Sequence, residues 1–288
     1  MVSNYKYSFN NINIIIPNNY RSKTSILSQK EMREINNLEI IKEMEVLEKT
    51  NSLIKDFKIK KRNIVLFGLG GSSLSLKTIL ESLNHQKELN KKTYIIDNLD
   101  GSTFNNVFDE IKIKSSLFIF VSKSGDTYEI INLLKETIKK IKKSKSKISS
   151  SLLFITENNN GYLNKFSLKE NIPIIHVNPN IGGRFSALSK STLIPCEILN
   201  VKWKKIIKGA NKTYQGLITD KFKVINQLVE FYYKNLQKKK TNTGLISYKD
   251  NLDCFGEWFM QLWGESLGKT KNNGIETGLT PARYIGPK

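Results

Sequence analysis

Residues 117–141 read LFIFVSKSGDTYEIINLLKETIKKI. The first five are an unbroken run of aromatic and aliphatic side chains, which predicts a strand, Leu117–Val121, buried on both faces. The last fourteen place apolar residues at helical spacing over Tyr128–Ile141. Between them lies Ser122-Lys123-Ser124-Gly125-Asp126-Thr127, a polar, glycine-containing turn. A strand, a short turn and a helix form half of a parallel βαβ unit. The same alternation extends in both directions, with further short apolar runs at Ile64–Phe67, Tyr94–Ile96, Leu152–Ile155 and Ile174–Val177, each followed by a helical or loop stretch. The fold expected is therefore α/β, a doubly wound parallel sheet flanked by helices, with right-handed crossovers.

Residues 1–28 are polar and weakly periodic, and 29–57 read as a helix with Met32, Ile35, Leu38, Ile41, Met44 and Leu47 on one stripe. Residues 29–200 are expected to form the first domain. A second unit begins near Pro195, so that 201–288 reads as the start of a second similar domain, incomplete. It offers a helix over 221–238, a strand over Gly244–Tyr248 and a helix over Asp253–Leu267. It ends at TPARYIGPK with no closing helix or strand.

Composition narrows the function classes. The chain has 288 residues, 39% hydrophobic and 25% charged, which fits a folded globular protein rather than a disordered one. No apolar run approaches the roughly 18 residues that would span a bilayer, and the N-terminus lacks the pattern of a signal peptide. Two cysteines, Cys196 and Cys254, stand far apart without metal-ligand spacing, so a reducing cytoplasm is the expectation. The net charge of +20 raises nucleic-acid binding. The lysines, however, sit in solvated helical stretches such as 135–147 and 232–240, with no aromatic-interleaved or zinc-finger motif beside them. No nucleic acid and no membrane are expected as partners, and the positive field is expected to steer an anionic substrate.

Four motifs carry the chemistry. Phe67-Gly68-Leu69-Gly70-Gly71-Ser72-Ser73 follows the first strand and opens a helix. Its glycines let backbone approach a ligand, and the helix start favours an anion. It is neither a Walker loop nor a good dinucleotide fingerprint, and the alternative is a tight turn. Ser122, Ser124 and Thr127 place hydroxyls at the carboxyl end of a strand, with Lys123 and a following helix N-terminus, which fits a phosphate monoester. The alternative there is a capping box formed by Asp126 and Glu129. Asn180-Ile181-Gly182-Gly183-Arg184-Phe185-Ser186 again combines paired glycines with a permanent cation, suited to stabilising an oxyanion unless Arg184 is only a turn residue. Gln261 and Glu265 are four apart on the last helix, sharing a face. The helix end and the nearby Phe255, Trp258, Phe259 and Leu262 are expected to disfavour the charged form of Glu265, as a general base requires. The alternative is a glutamate on the wet side of an amphipathic helix.

In this order, from Ile64 to the C-terminus, the four motifs resemble the glucose-6-phosphate isomerase family. The resemblance implies two sugar-isomerase (SIS-type) domains. It implies interconversion of glucose 6-phosphate and fructose 6-phosphate through a cis-enediol, with no metal and no cofactor. It places Gly71 and Ser72 beside the sugar phosphate, and Ser122, Lys123, Ser124 and Thr127 in the phosphate-binding segment. Gly183 and Arg184 fall beside the reacting carbons, Gln261 on the substrate, and Glu265 as the base moving a proton between C1 and C2. It also implies a homodimer. The family's next motif, an acidic stretch bearing a histidine, and its later lysine fall beyond Lys288, so the chain is expected to lack the C-terminal part. The family's N-terminal helical extension is shortened here. The two histidines present are His85, expected to be exposed on a helix, and His176, expected to be structural at a strand end. The rival readings are an isomerase that also takes mannose 6-phosphate, and a sugar-phosphate-binding regulator on the same fold.

Overall fold

The computed structural model describes residues 4–9, 12–17, 51–83, 91–219, 223–268 and 279–286. Most of the helix expected over 29–57, and His85, lie outside these residues. The chain divides into two compact units. The smaller comprises 1–38, 204–243 and 267–280, and the larger comprises 39–203, 244–266 and 281–288.

In the smaller unit, β1 (Asn4–Phe9) and β2 (Ile12–Pro17) form an antiparallel hairpin with Phe9 opposite Ile12. The sequence reading offered neither strand in 1–28. The helices α7 (Trp203–Ile218) and α8 (Lys223–Gln237) account for most of its other described residues.

The larger unit is built on a five-stranded sheet of β3 (Asn63–Gly68), β4 (Lys92–Ile96), β5 (Ser116–Val121), β6 (Leu152–Glu157) and β7 (Ile174–Val177). Every pairing is parallel, in the order β4-β3-β5-β6-β7. Every residue of β3 and β5 is buried, as expected of strands covered on both sides. Alternate side chains divide between the faces. Val65, Phe67, Phe118, Phe120, Leu152 and Phe154 join the core formed with α3 (Gly101–Glu110), α4 (Tyr128–Lys143) and α5 (Tyr162–Glu170). Ile64, Leu66, Leu117, Ile119, Leu153 and Ile155, equally buried, face the other way, where α1 (Asn51–Lys60), α2 (Gly71–Ser82) and α6 (Lys190–Ile198) lie. Pro195, near which a second unit was expected to begin, is buried inside α6. The chain order reverses between β3 and β5, so the adjacent carboxyl ends at Gly68 and Val121 form the switch point where open α/β sheets bind ligands.

Two elements near the C-terminus also belong here. The helix α9 (Asp253–Leu267) has the bounds the sequence predicts. Residues 280–285, read from sequence as unstructured, form β9 (Thr280–Ile285), paired with β8 (Asn242–Ser247). Thr280 N–H donates to Thr241 O and Gly286 N–H to Ser247 O, a constant offset that marks a parallel pair. Pro281 argues against a central strand, but a two-stranded ribbon has only edges and tolerates it.

Phe120 lies at the middle of the core, fully buried, stacked on Phe67 at 4.3 Å and edge-on to Phe154 at 6.1 Å. Phe120→Ala is expected to cost about 3–5 kcal/mol of unfolding free energy, measured by urea denaturation.

Candidate active site at the switch point

Three loops leave the carboxyl ends of β3, β5 and β7 and meet. The first, Leu69–Gly70, turns sharply into α2, with Gly70 at φ +53°. A Cβ on Gly70 would lie 3.1 Å from Gln261 Nε2. One on Gly71 would lie 2.2 Å from the carbonyl oxygen of Gly183. The second contact is backbone on backbone, so glycine is required there for close approach of two chain segments. Ser186, in the 3-10 turn Gly183–Leu188, secures it by donating to Gly71 O at 2.7 Å, with Ser75 Oγ 3.3 Å from the Ser186 hydroxyl. Both serines are buried.

The loop after β5 is closed by its own side chains. Ser122 Oγ and Thr127 Oγ1 are 2.7 Å apart, Gly125 N–H donates to Ser122 Oγ, and Asp126 N–H donates to Ser124 Oγ. The Asp126–Glu129 capping box is not what Asp126 serves. Its carboxylate accepts from Tyr162 N–H at 2.7 Å, capping α5, while Thr127 stands at the start of α4. Ser122, Lys123, Ser124 and Thr127 line a cavity of about 420 Å³ together with Leu69, Ser72, Val121, Ile130 and Glu157. The first-turn N–H groups of α4 have no intrahelical acceptor, so the loop that leads into it is rich in hydrogen-bond donors.

The third grouping comes from α9. Its first turn is fastened to the end of α2: Thr78 Oγ1 donates to Cys254 O, and Cys254 N–H donates to Glu81 Oε2. Further along, Gln261 abuts Gly70 at the start of α2. The two helices therefore run antiparallel, which delivers Gln261 and Glu265 to the glycine loops. Arg283, on β9, fixes α9 from another side through Asp253 O and Glu257. Gln261 Nε2 donates to Glu265 Oε1 at 2.9 Å, and Arg184 Nη1 is 3.8 Å from Glu265 Oε2. Arg184 also lies over the Phe185 ring at 4.8 Å. The expectation that aromatic neighbours desolvate Glu265 is corrected. Its side chain is 47% exposed, and its neighbours are the guanidinium and the amide. The aromatic rings of α9 pack against one another instead, Phe255 against Trp258 and Phe259 against Trp263, both pairs tilted. Arg184 Nε and Gln261 Oε1 are buried without a hydrogen-bond partner among the described residues.

The structure thus brings together all of the sequence-predicted residues: Gly71, Gly183, Arg184, Gln261 and Glu265 in one cluster, and Ser122, Lys123, Ser124 and Thr127 around the cavity. Ser72 borders both the main cavity and a small one of about 30 Å³ that also touches Gly183 and Ser186. Two residues were given no role in the sequence, Glu157 and Ser186, the latter standing only as the end of its motif. Glu157 ends β6, so the rule that ligands sit at strand carboxyl ends would have flagged it. His176 stands apart, its Nε2 2.9 Å from Asn164 Oδ1. Asn164 spends its amide on Glu157 O and Asn159, so the imidazole is the donor. Burial, and then Lys190, hold the His176 pKa below the ordinary histidine value. No group of His, Cys, Asp and Glu among the described residues is arranged to hold a metal. No described helix is long and apolar enough to cross a membrane.

Fold and site define a class: a doubly wound parallel-sheet domain with a hydroxyl-lined cavity at its switch point, near a carboxylate–guanidinium pair. The chain belongs to the phosphoglucose isomerase family, whose family model matches residues 22–280. The glucose-6-phosphate isomerase of Campylobacter jejuni is 32% identical over 245 residues, 85% of this chain and 59% of that protein. That of Methanocaldococcus jannaschii is 34% identical over 233 residues, 78% of this chain and 54% of that protein. The chain therefore spans little more than half the length of these curated relatives. Among solved structures, a hypothetical protein from Thermus thermophilus superposes with a TM-score of 0.77 at 23% identity, covering 90% of this chain and 64% of that one. A glucose-6-phosphate isomerase from Chlamydia trachomatis gives 0.72 at 19%, covering 91% and 62%. These two establish the likeness of fold.

Gly71→Ala, which drives a methyl group into the Gly183 carbonyl, is expected to cost about 1–3 kcal/mol of stability in urea denaturation, because neither backbone can yield without moving its loop.

Proposed function

We propose that this chain carries the site that interconverts glucose 6-phosphate and fructose 6-phosphate through a cis-enediol. The observation that carries the reading is the convergence of Arg184, Gln261 and Glu265, two of them with buried unpartnered polar atoms, beside a hydroxyl-lined cavity reached past Ser72. Phosphate is anchored by Ser122, Ser124, Thr127 and the start of α4, with Lys123 supplying charge. The open-chain sugar then extends past Ser72 toward Gly71 and Gly183. Glu265 takes the proton from C2, and Arg184 stabilises the negative oxygen of the enediolate. Glu265 returns the proton to C1 on the same face of the planar intermediate. Gln261 holds Glu265 in place and offers its own carbonyl oxygen to a sugar hydroxyl.

The 3.8 Å separation of Arg184 and Glu265 supports this assignment. It is too loose for a tight ion pair, so the carboxylate keeps its basic lone pairs and the guanidinium keeps donors for the substrate. The chemistry asks for a base and an oxyanion stabiliser, and we assign it no metal or cofactor. The reading extends to a homodimer in the cytoplasm. A regulator that only binds sugar phosphates has no use for the Arg184–Gln261–Glu265 cluster.

A coupled assay of fructose 6-phosphate conversion tests the reading. Glu265→Gln is expected to lower kcat by about 10²–10⁴-fold with binding of a sugar phosphate retained. Ser124→Ala is expected to raise KM by about tenfold with a smaller effect on kcat. Unchanged turnover in Glu265→Gln would remove the glutamate from the mechanism.

A further inference from the structure

The cavity read as the phosphate site contains a group that an anion site does not call for. Glu157, at the carboxyl end of β6, lines it beside Lys123. Its Oε1 is 3.4 Å from Lys123 Nζ, and its side chain is 18% exposed against 42% for the lysine. The pair is held in register by backbone. Glu157 N–H donates to Lys123 O at 3.0 Å, and Thr156 Oγ1 donates to the same carbonyl at 3.1 Å. Lys123 is therefore tied to the end of β6 through both its main chain and its ammonium. An ion pair with a half-exposed lysine adds little to fold stability. Inside a cavity for a dianion, the same carboxylate has two larger effects. It offsets the charge of the nearest lysine, and it repels the ligand across a partly desolvated space.

We infer that Glu157 is an affinity-limiting residue of this site. It holds down the grip on the phosphate group, which is unchanged through the reaction. Tight binding of that group alone would favour ground state and transition state equally and retain the product. The inference rests on the phosphate reading of the cavity given above.

Glu157→Gln tests it, because the amide keeps an acceptor oxygen facing Lys123 and removes only the charge. Titration calorimetry at about pH 8, where phosphate is a dianion, compares inorganic phosphate and glucitol 6-phosphate on the parent chain, Glu157→Gln and Ser124→Ala. Both ligands are expected to bind Glu157→Gln about three- to tenfold more tightly than the parent. Glu157→Asn removes the same charge with a shorter side chain and carries the same expectation, so misfolding of one variant does not decide the matter. Equal or weaker binding by the charge-removed variants, with parent binding that Ser124→Ala reduces, overturns the inference and leaves the phosphate site standing. A folded parent that binds neither ligand, or binds them independently of Ser124, overturns the phosphate reading and the inference with it.

Discussion

Two backbones meet at Gly71 and Gly183 with no room for a side chain between them, and the geometry of the site depends on that contact. It joins the loop after β3 to the loop after β7, which the sheet order alone would leave three strands apart. Ser186 and Ser75 hold the junction through buried hydroxyls, so it is fixed by hydrogen bonds as well as by shape. Arg184 projects from the residue after Gly183, and Ser72 from the residue after Gly71. One contact therefore sets the spacing between the guanidinium and the cavity.

Gln261 and Glu265 are delivered by α9, lying antiparallel to α2 and fastened at its start by Thr78 and Glu81. α2 thus orders both partners, since it begins in the glycine loop and ends at the anchor of the helix that bears Glu265. The cavity proposed for phosphate is stabilised separately, by hydrogen bonds within 122–127 and by Asp126 reaching the start of α5. In the proposed mechanism, anchoring falls to the loop after β5 and proton transfer to α9, a division that lets substitutions in each act on different kinetic constants.

Much of the sheet was legible because its strands are continuous apolar runs, and both faces of β3 and β5 are buried as such runs require. The site loops were legible because glycine, hydroxyl and cationic residues cluster at strand ends. What escaped were features fixed by partners distant in sequence. The surroundings of Glu265 were misjudged because helical spacing shows which residues share its face, and says nothing of Arg184 opposite. Asp126 looked like a local cap because its true partner, Tyr162, belongs to another helix. β9 was hidden by Pro281, which reads as a breaker unless the strand is known to lie at an edge. The β1–β2 hairpin was missed because its strands lie in a segment read as polar, although Ile12–Pro17 is largely isoleucine.

The central claim is that one carboxylate, Glu265, carries a proton between adjacent carbons of the sugar. Its most direct test is conversion of glucose 6-phosphate deuterated at C2, followed by resonance analysis of C1 in the fructose 6-phosphate formed. A protonated carboxylate exchanges with water while it holds the label, so the account predicts partial transfer of deuterium to C1, the remainder lost to solvent, and both processes abolished in Glu265→Gln. Complete transfer to C1 without exchange, undiminished in that variant, would mean a hydride shift that does not use Glu265 and would contradict the account.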